Sequence, residues 1–144
     1  LNDYKQLMMQ YYGAGVQACY RWPRLYDTEK TKQDVIEVIN WYKKYRQILN
    51  SDIIHLRRPD GRDWDGILHV NPDLKTKGLM MLYNPLKTKI TRTIKVPLYY
   101  TGLTKSAMIK EKEGEFIPHP LNRKFEVELK CSLAPQSYTW YVIQ

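Results

Sequence analysis

Cysteine is scarce in this chain, and the two that occur, Cys19 and Cys131, stand far apart in sequence. That count excludes a disulfide framework and the clustered ligands of a structural zinc site. Both lie among apolar neighbours and read as small buried hydrophobes. No apolar run approaches the ~20 residues needed to cross a bilayer. No basic-then-apolar leader follows Leu1. There is no glycine-rich loop followed by Lys-Ser or Lys-Thr to cradle phosphate. Ser106, Ser132 and Ser137 lack the glycine-flanked elbow of a serine hydrolase. No cofactor is named by any motif. The chain opens without Met on residues that read as the interior of a helix, so the expectation is a piece of a longer protein.

What is present is a folded-protein composition: 144 residues, 43% hydrophobic and 26% charged. The net charge is +8, which raises the question of nucleic acid. The stretch holding Lys87, Lys89, Arg92, Lys95, Lys105 and Lys110 contains no acidic residue. On an extended segment, Lys87, Lys89 and Lys95 share one face while Ile90, Ile94 and Val96 take the other. This is the pattern of a solvated strand face. Glu111, Glu113 and Glu115 then interrupt any continuous basic track.

Residues 2–12 allow a short helix with Leu7, Met8, Tyr11 and Tyr12 as its apolar stripe, ended by Gly13-Ala14-Gly15. Residues 16–20 read as a short buried strand and 21–27 as a loop stiffened by Pro23. Thr31 has the position of an N-cap, with Asp34 three residues on. The helix it starts is expected to run through Leu49, keeping Val35, Val38, Ile39, Tyr42, Tyr45 and Leu49 on one side. After Ser51 the pattern changes to strands at 52–57, 65–71, 78–84, 89–96, 106–112, 115–118, 123–130 and 137–143. Turn chemistry separates several of them, notably Pro59-Asp60-Gly61, Asn71-Pro72-Asp73 and Asn84-Pro85. The fold class expected is mainly β: an antiparallel sandwich over 52–144, preceded by a helical segment over 1–51. The order strand, loop, helix within 16–49 is that of a last βα unit of a barrel. The loop would then lie at the end where barrel active sites are built.

The segments YYGAGVQACY, RWPRLYD, NWYKKYRQILNSDIIHLRRPDGRDWDGILHVNP, KGLMMLYNP, VPLYYTGL and SYTWYVIQ resemble the C-terminal end of large bacterial glycoside hydrolases related to the α-galactosidase-type barrel enzymes. The resemblance implies a catalytic (β/α) barrel ending in an amphipathic helix, followed by an antiparallel β-domain. The family's paired carboxylates belong to earlier barrel strands, and none maps onto this chain.

Glycoside hydrolysis needs two carboxyl groups roughly 5–10 Å apart about one sugar bond. Asp60, Asp63 and Asp65 form the one tight acidic cluster, but in turn context and without the spacing of a calcium loop. His55 and His69 are expected on paired strands, His55 opposite 68–70, as a packing pair lacking a third metal ligand. No catalytic residue and no metal ligand is assigned. Arg21, Trp22, Arg24 and Tyr26 are the candidates for carbohydrate contact or a domain interface. Trp41, Tyr42 and Tyr45 are the candidate helix packing surface.

The function expected is a non-catalytic accessory domain of a carbohydrate-degrading enzyme, inactive alone, partnered by the catalytic barrel and prone to self-association without it. An independent carbohydrate-binding module is the alternative. It would need coplanar exposed aromatics on one sheet face or loop rim, for which Trp64, Tyr99 and Tyr100 are the best available, with at most one of the two tyrosines facing outward. A basic nucleic-acid-binding domain is third, and neither nucleic acid nor membrane is an expected partner. The compartment is left open, a periplasmic or extracellular parent being compatible.

Overall fold

The computed structural model describes residues 2–16 and 26–144. Among them are two helices, α1 (Asn2–Gly13) and α2 (Glu29–Leu49), followed by strands only. The strands are β1 (Asp52–Arg57), β2 (Asp65–Val70), β3 (Gly78–Asn84), β4 (Ile90–Pro97), β5 (Ser106–Glu111), β6 (Ile117–Pro120), β7 (Glu126–Leu133) and β8 (Ser137–Ile143). Six form one antiparallel sheet in the order β1-β2-β3-β8-β5-β6, and β4 pairs with β7 to form the second. The expected mainly β, antiparallel sandwich with an N-terminal helical segment is what the chain forms.

The molecule has three layers: helices, large sheet, small sheet. Strand β3 explains why. All seven of its residues are buried, because successive side chains point to opposite faces and both faces are covered. Met80 and Leu82 point into the core between the sheets, with Ile94, Val96, Val127, Leu129 and Cys131. Leu79, Met81 and Tyr83 point the other way, against Met8, Met9, Val38, Trp41, Tyr45 and Ile48 of the helices. The near-continuous apolar run LMMLY thus belongs to a strand buried on both sides. By contrast β7 alternates strictly, with Val127, Leu129, Cys131 and Leu133 inward and Glu128, Lys130 and Ser132 exposed.

The N-cap of α2 is Thr28, not the expected Thr31, and the helix starts at Glu29. Thr28 has extended backbone angles (φ −131°, ψ 159°) and its hydroxyl accepts the amide hydrogen of Thr31. Thr31 is already helical, and its hydroxyl is 2.9 Å from that of Thr28. The helix ends at Asn50 as expected: its amide donates to the Arg46 carbonyl at 3.0 Å and the Ser51 amide to the Ile48 carbonyl at 3.1 Å. Strand β7 begins three residues later than expected because Asn122 folds the chain before it. Its carboxamide oxygen accepts the amides of Lys124 (2.8 Å) and Glu126 (3.0 Å). Phe125 is held at φ +58° and so drops out of the alternation.

Candidate functional site: the helical layer and the surfaces beside it

Helix α2 buries Val35, Val38, Trp41, Tyr45, Ile48 and Leu49, spaced to fall on one face. Trp41 meets Trp140 of β8 edge-on, ring centres 5.5 Å apart, and Tyr45 at 5.7 Å. The Tyr45 hydroxyl donates to Glu113 at 2.9 Å, and Lys44 donates to the same carboxylate at 2.7 Å. That pairing with Lys44 holds Glu113 below the usual carboxylate range. Tyr42 is half-buried, 5.0 Å from the Tyr12 ring of α1, and its hydroxyl donates to Asn50 at 3.1 Å. Trp41 and Tyr45 therefore pack on the sandwich, while Tyr42 ties the two helices together.

Helix α1 approaches the sheet through Gly13. A β-carbon there would stand 2.3 Å from the Tyr83 hydroxyl, so only glycine permits this depth. Tyr83 donates to the Met9 carbonyl at 2.9 Å, and His69 Nε2 lies 2.5 Å from the Gly13 carbonyl. The carbonyl fixes the proton on Nε2. His69 Nδ1 is buried without a partner, and burial holds this imidazole below its ordinary pKa. The expected His55–His69 packing pair does not form. His55 pairs with Ile67 and His69 with Ile53, so the two are offset by two residues, and His55 is exposed while His69 is fully buried.

On their other side the helices carry apolar groups in solvent: Leu7 44% exposed, Tyr11 46%, Ile36 41%. Val16 and Tyr26, at the two ends of the stretch between the helices, are 52% and 42% exposed. Tyr26 is thus not buried; Lys32 Nζ sits 5.6 Å over its ring. Arg21, Trp22 and Arg24, with Cys19 and the strand expected at 16–20, lie outside the described residues apart from Val16.

A cleft of about 330 Å³ opens beside the end of α1, lined by Gln10, His55, Arg57, Asp65 and Tyr83 among others. Burial raises the pKa of Asp65. Its acidic neighbours in sequence are committed elsewhere. Asp60 accepts both guanidinium nitrogens of Arg57 at 3.0 Å, and Asp63 caps the Trp64 amide and pairs with Arg92. One half-buried carboxyl without a facing second one cannot run two-carboxylate glycoside chemistry. Among the described residues, no group of three His, Cys, Asp or Glu side chains could hold a metal ion. No helix of theirs is long and apolar enough to cross a membrane.

Of the three aromatic residues expected for a carbohydrate-binding module, Trp64 packs half-buried against the core between the sheets. Tyr99 and Tyr100 are both outward, 64% and 65% exposed. The expectation that only one could face solvent rested on strand alternation. The chain instead forms a 3-10 turn at Tyr99–Thr101, which directs both rings outward.

No family model and no curated protein matches the chain. Its fold is similar to part of solved structures. A variant of AmyP in complex with maltotriose matches with a TM-score of 0.52 and 11% identity, over 80% of this chain and 21% of that one. AmyP in complex with maltose matches with a TM-score of 0.50 and 11% identity, over 88% and 24%. An isomaltulose synthase from Erwinia rhapontici NX5 matches with a TM-score of 0.45 and 17% identity, over 79% and 18%. The chain therefore spans a quarter or less of the length of these proteins.

Proposed function

We propose that this chain is a non-catalytic accessory domain of a carbohydrate-degrading enzyme, a glycoside hydrolase. In this reading residues 1–51 are the end of its catalytic barrel, and residues 52–144 the C-terminal β-sandwich that covers and stabilises that barrel. The observation that carries it is the two-sided helical layer. One side is fully committed to the sandwich through Met8, Met9, Trp41, Tyr45 and Ile48. The other presents Leu7, Tyr11 and Ile36 to solvent, where the rest of a barrel would bury them. The partial fold likeness to AmyP chains of which it covers about a fifth to a quarter supports an accessory position. AmyP was solved with maltose and with a maltotriose, which supports carbohydrate as the parent's substrate class. The α-galactosidase type of barrel is the finer assignment, and on the sequence Arg21, Trp22, Arg24 and Tyr26 are our candidates for carbohydrate contact or the domain interface.

The test is sedimentation of the isolated chain beside a Leu7→Ser/Tyr11→Ser variant. The reading expects self-association of the former, relieved in the latter with an unchanged denaturation midpoint. A monomeric parent chain, or a variant that unfolds, counts against it. Purified chain should show no turnover of aryl glycosides. A carbohydrate-binding module is the second reading, favoured by the paired exposure of Tyr99 and Tyr100.

A further inference from the structure

We infer that Tyr99, Tyr100 and Phe125 form a saccharide platform, taking the apolar face of a neutral pyranose, with Asn122 and Glu126 supplying hydrogen bonds at its edge. This deepens the second reading above, and it does not depend on the helices facing a barrel.

The rings are close and mutually braced. Tyr99 and Tyr100 stand edge to face at 89° with centres 5.2 Å apart, and Tyr99 meets Phe125 at 5.6 Å and 68°. The rings are not coplanar, and in each edge-to-face contact the edge of one ring covers one face of the other. They leave π-faces open in two directions, and the electron-rich face attracts the polarised C–H groups of a sugar ring.

The backbone beneath them is fixed from both sides. Thr101, fully buried, donates its hydroxyl to the Leu98 carbonyl at 2.5 Å and accepts the Leu103 amide at 3.3 Å. Gly102 closes the turn at φ +76°, where a side chain would be strained. The Leu98 amide donates to the Phe125 carbonyl at 2.8 Å, joining the turn to the one that carries the third ring. Phe125 at φ +58° is an uncommon conformation for a bulky residue, and such strain persists only where neighbours enforce it. Asn122 enforces it, with its carboxamide oxygen on two amides and its Nδ2 donating to Glu126 at 3.1 Å. Because these groups are already ordered, binding would lose little conformational freedom, so even a small ligand can be held here.

The rim identifies the ligand as polar and uncharged. Arg123 and Lys124 stand beside Glu126 and Glu128, so neither sign dominates. A cleft of about 280 Å³ lined by His119, Asn122, Glu126 and Glu128 lies beside the turn that carries Phe125, without the rings themselves lining it. A protein partner fits less well. Fully exposed, three such rings would offer about 450–750 Å² in all; with Tyr99 and Tyr100 64% and 65% exposed and Phe125 partly buried, they fall well short of the roughly 800 Å² per partner of a stable interface. The turn also leaves the small sheet, whereas the helices lie on the opposite face of the large one, so the platform is separate from the surface assigned to the barrel.

The test titrates the full chain with maltotriose, cellotriose, mannotriose and galactobiose, with a heparin tetrasaccharide as the anionic control, following ring proton shifts by NMR. The expected result is saturable binding of at least one neutral probe. Binding should weaken about tenfold or more in Tyr99→Ala and in Tyr100→Ala, the loss when an anchoring aromatic is truncated, while both variants keep the parent denaturation midpoint. Four results would overturn the inference: no neutral probe binds, binding survives both substitutions, only the sulfated control binds, or the substitutions abolish self-association of the chain. Loss of sugar binding with Leu7 and Tyr11 intact, or the reverse, separates failure of this site from failure of the barrel-covering role.

Discussion

Gly13→Ala sets two effects of opposite sign against each other. Alanine is the better helix former, worth about 0.5–1 kcal/mol over glycine inside a helix, and Gly13 is the last residue of α1, where the gain is at the low end. Against it stands the sheet. The new methyl would lie 2.3 Å from the Tyr83 hydroxyl and 2.9 Å from Met81 Cε. Met81 can swing its terminal methyl aside. Tyr83 cannot, since it is 8% exposed within a strand buried on both faces. Either α1 lifts, at the ~1–3 kcal/mol of overpacking, or the hydroxyl turns away from the Met9 carbonyl, leaving buried polar groups unpaired at ~1–3 kcal/mol. The variant should be destabilised by about 1–4 kcal/mol in urea denaturation followed by tryptophan fluorescence. Tyr83→Phe removes the atom in conflict. In that background Gly13→Ala should cost at least ~1 kcal/mol less, a coupling of the size seen for groups in contact. A neutral or stabilising Gly13→Ala, or an equal cost in both backgrounds, would refute the close approach of α1 to β3.

Three further outcomes are expected. His69 has its pKa lowered by burial, so below ~6.5 the unfolded chain takes up a proton that the folded one resists. Stability should therefore fall as pH drops through that value, and denaturation midpoints between pH 7.5 and 5 should show a shallower slope in His69→Gln. Asn84 is fully buried and its Nδ2 donates to the carbonyls of Thr88 (2.9 Å) and Ala134 (2.8 Å) while its oxygen accepts the Leu86 amide (3.0 Å). Asn84→Ala should cost about 2–4 kcal/mol by chemical denaturation, since it orphans several backbone groups at once. Trp41 buries an indole N–H without a partner, so Trp41→Phe should cost less than ~1.5 kcal/mol in thermal melts and Trp41→Ala about 3–5.

Local patterns were readable wherever one face of a segment is buried and one is wet. Val127 and Leu129 announce β7 by alternation, and LMMLY reads as an apolar strand, though that both its faces are covered is seen only in the fold. What alternation cannot carry is a residue whose conformation is set by a neighbour's side chain. Phe125 continues the period-two pattern in sequence, yet the Asn122 carboxamide folds it out of the strand. Tyr99-Tyr100 failed for the same reason. The signal that could have found their turn is Gly102, a residue suited to the left-handed backbone that ends it. Thr28 and Thr31 are equivalent as sequence, and only the extended backbone at Thr28 distinguishes the cap. The neighbour order β3-β8-β5 joins strands far apart in the chain, and no local pattern encodes it. The His69–Gly13 and Tyr83–Met9 bonds, which seat α1, are of the same kind: each joins residues more than fifty positions apart.

The two faces of the large sheet are both apolar, and this ties the sandwich to its helices. Without α1 and α2 the sheet would leave Ile67, Leu79, Met81, Tyr83 and Val142 uncovered, a patch larger than soluble proteins usually tolerate. The helical layer is thus a structural requirement of the β-domain, whatever else it belongs to. Its own outer side, with Leu7, Tyr11 and Ile36 exposed, has the same incompleteness one layer further out. Those three side chains leave a partial apolar edge on a layer whose inner face is satisfied. The open apolar positions are few: on α2, Glu29, Lys30, Gln33, Glu37, Asn40, Lys43, Lys44, Arg46 and Gln47 are exposed alongside Ile36, so a second packing unit would seat on the Leu7 and Tyr11 edge of α1 rather than on the whole layer.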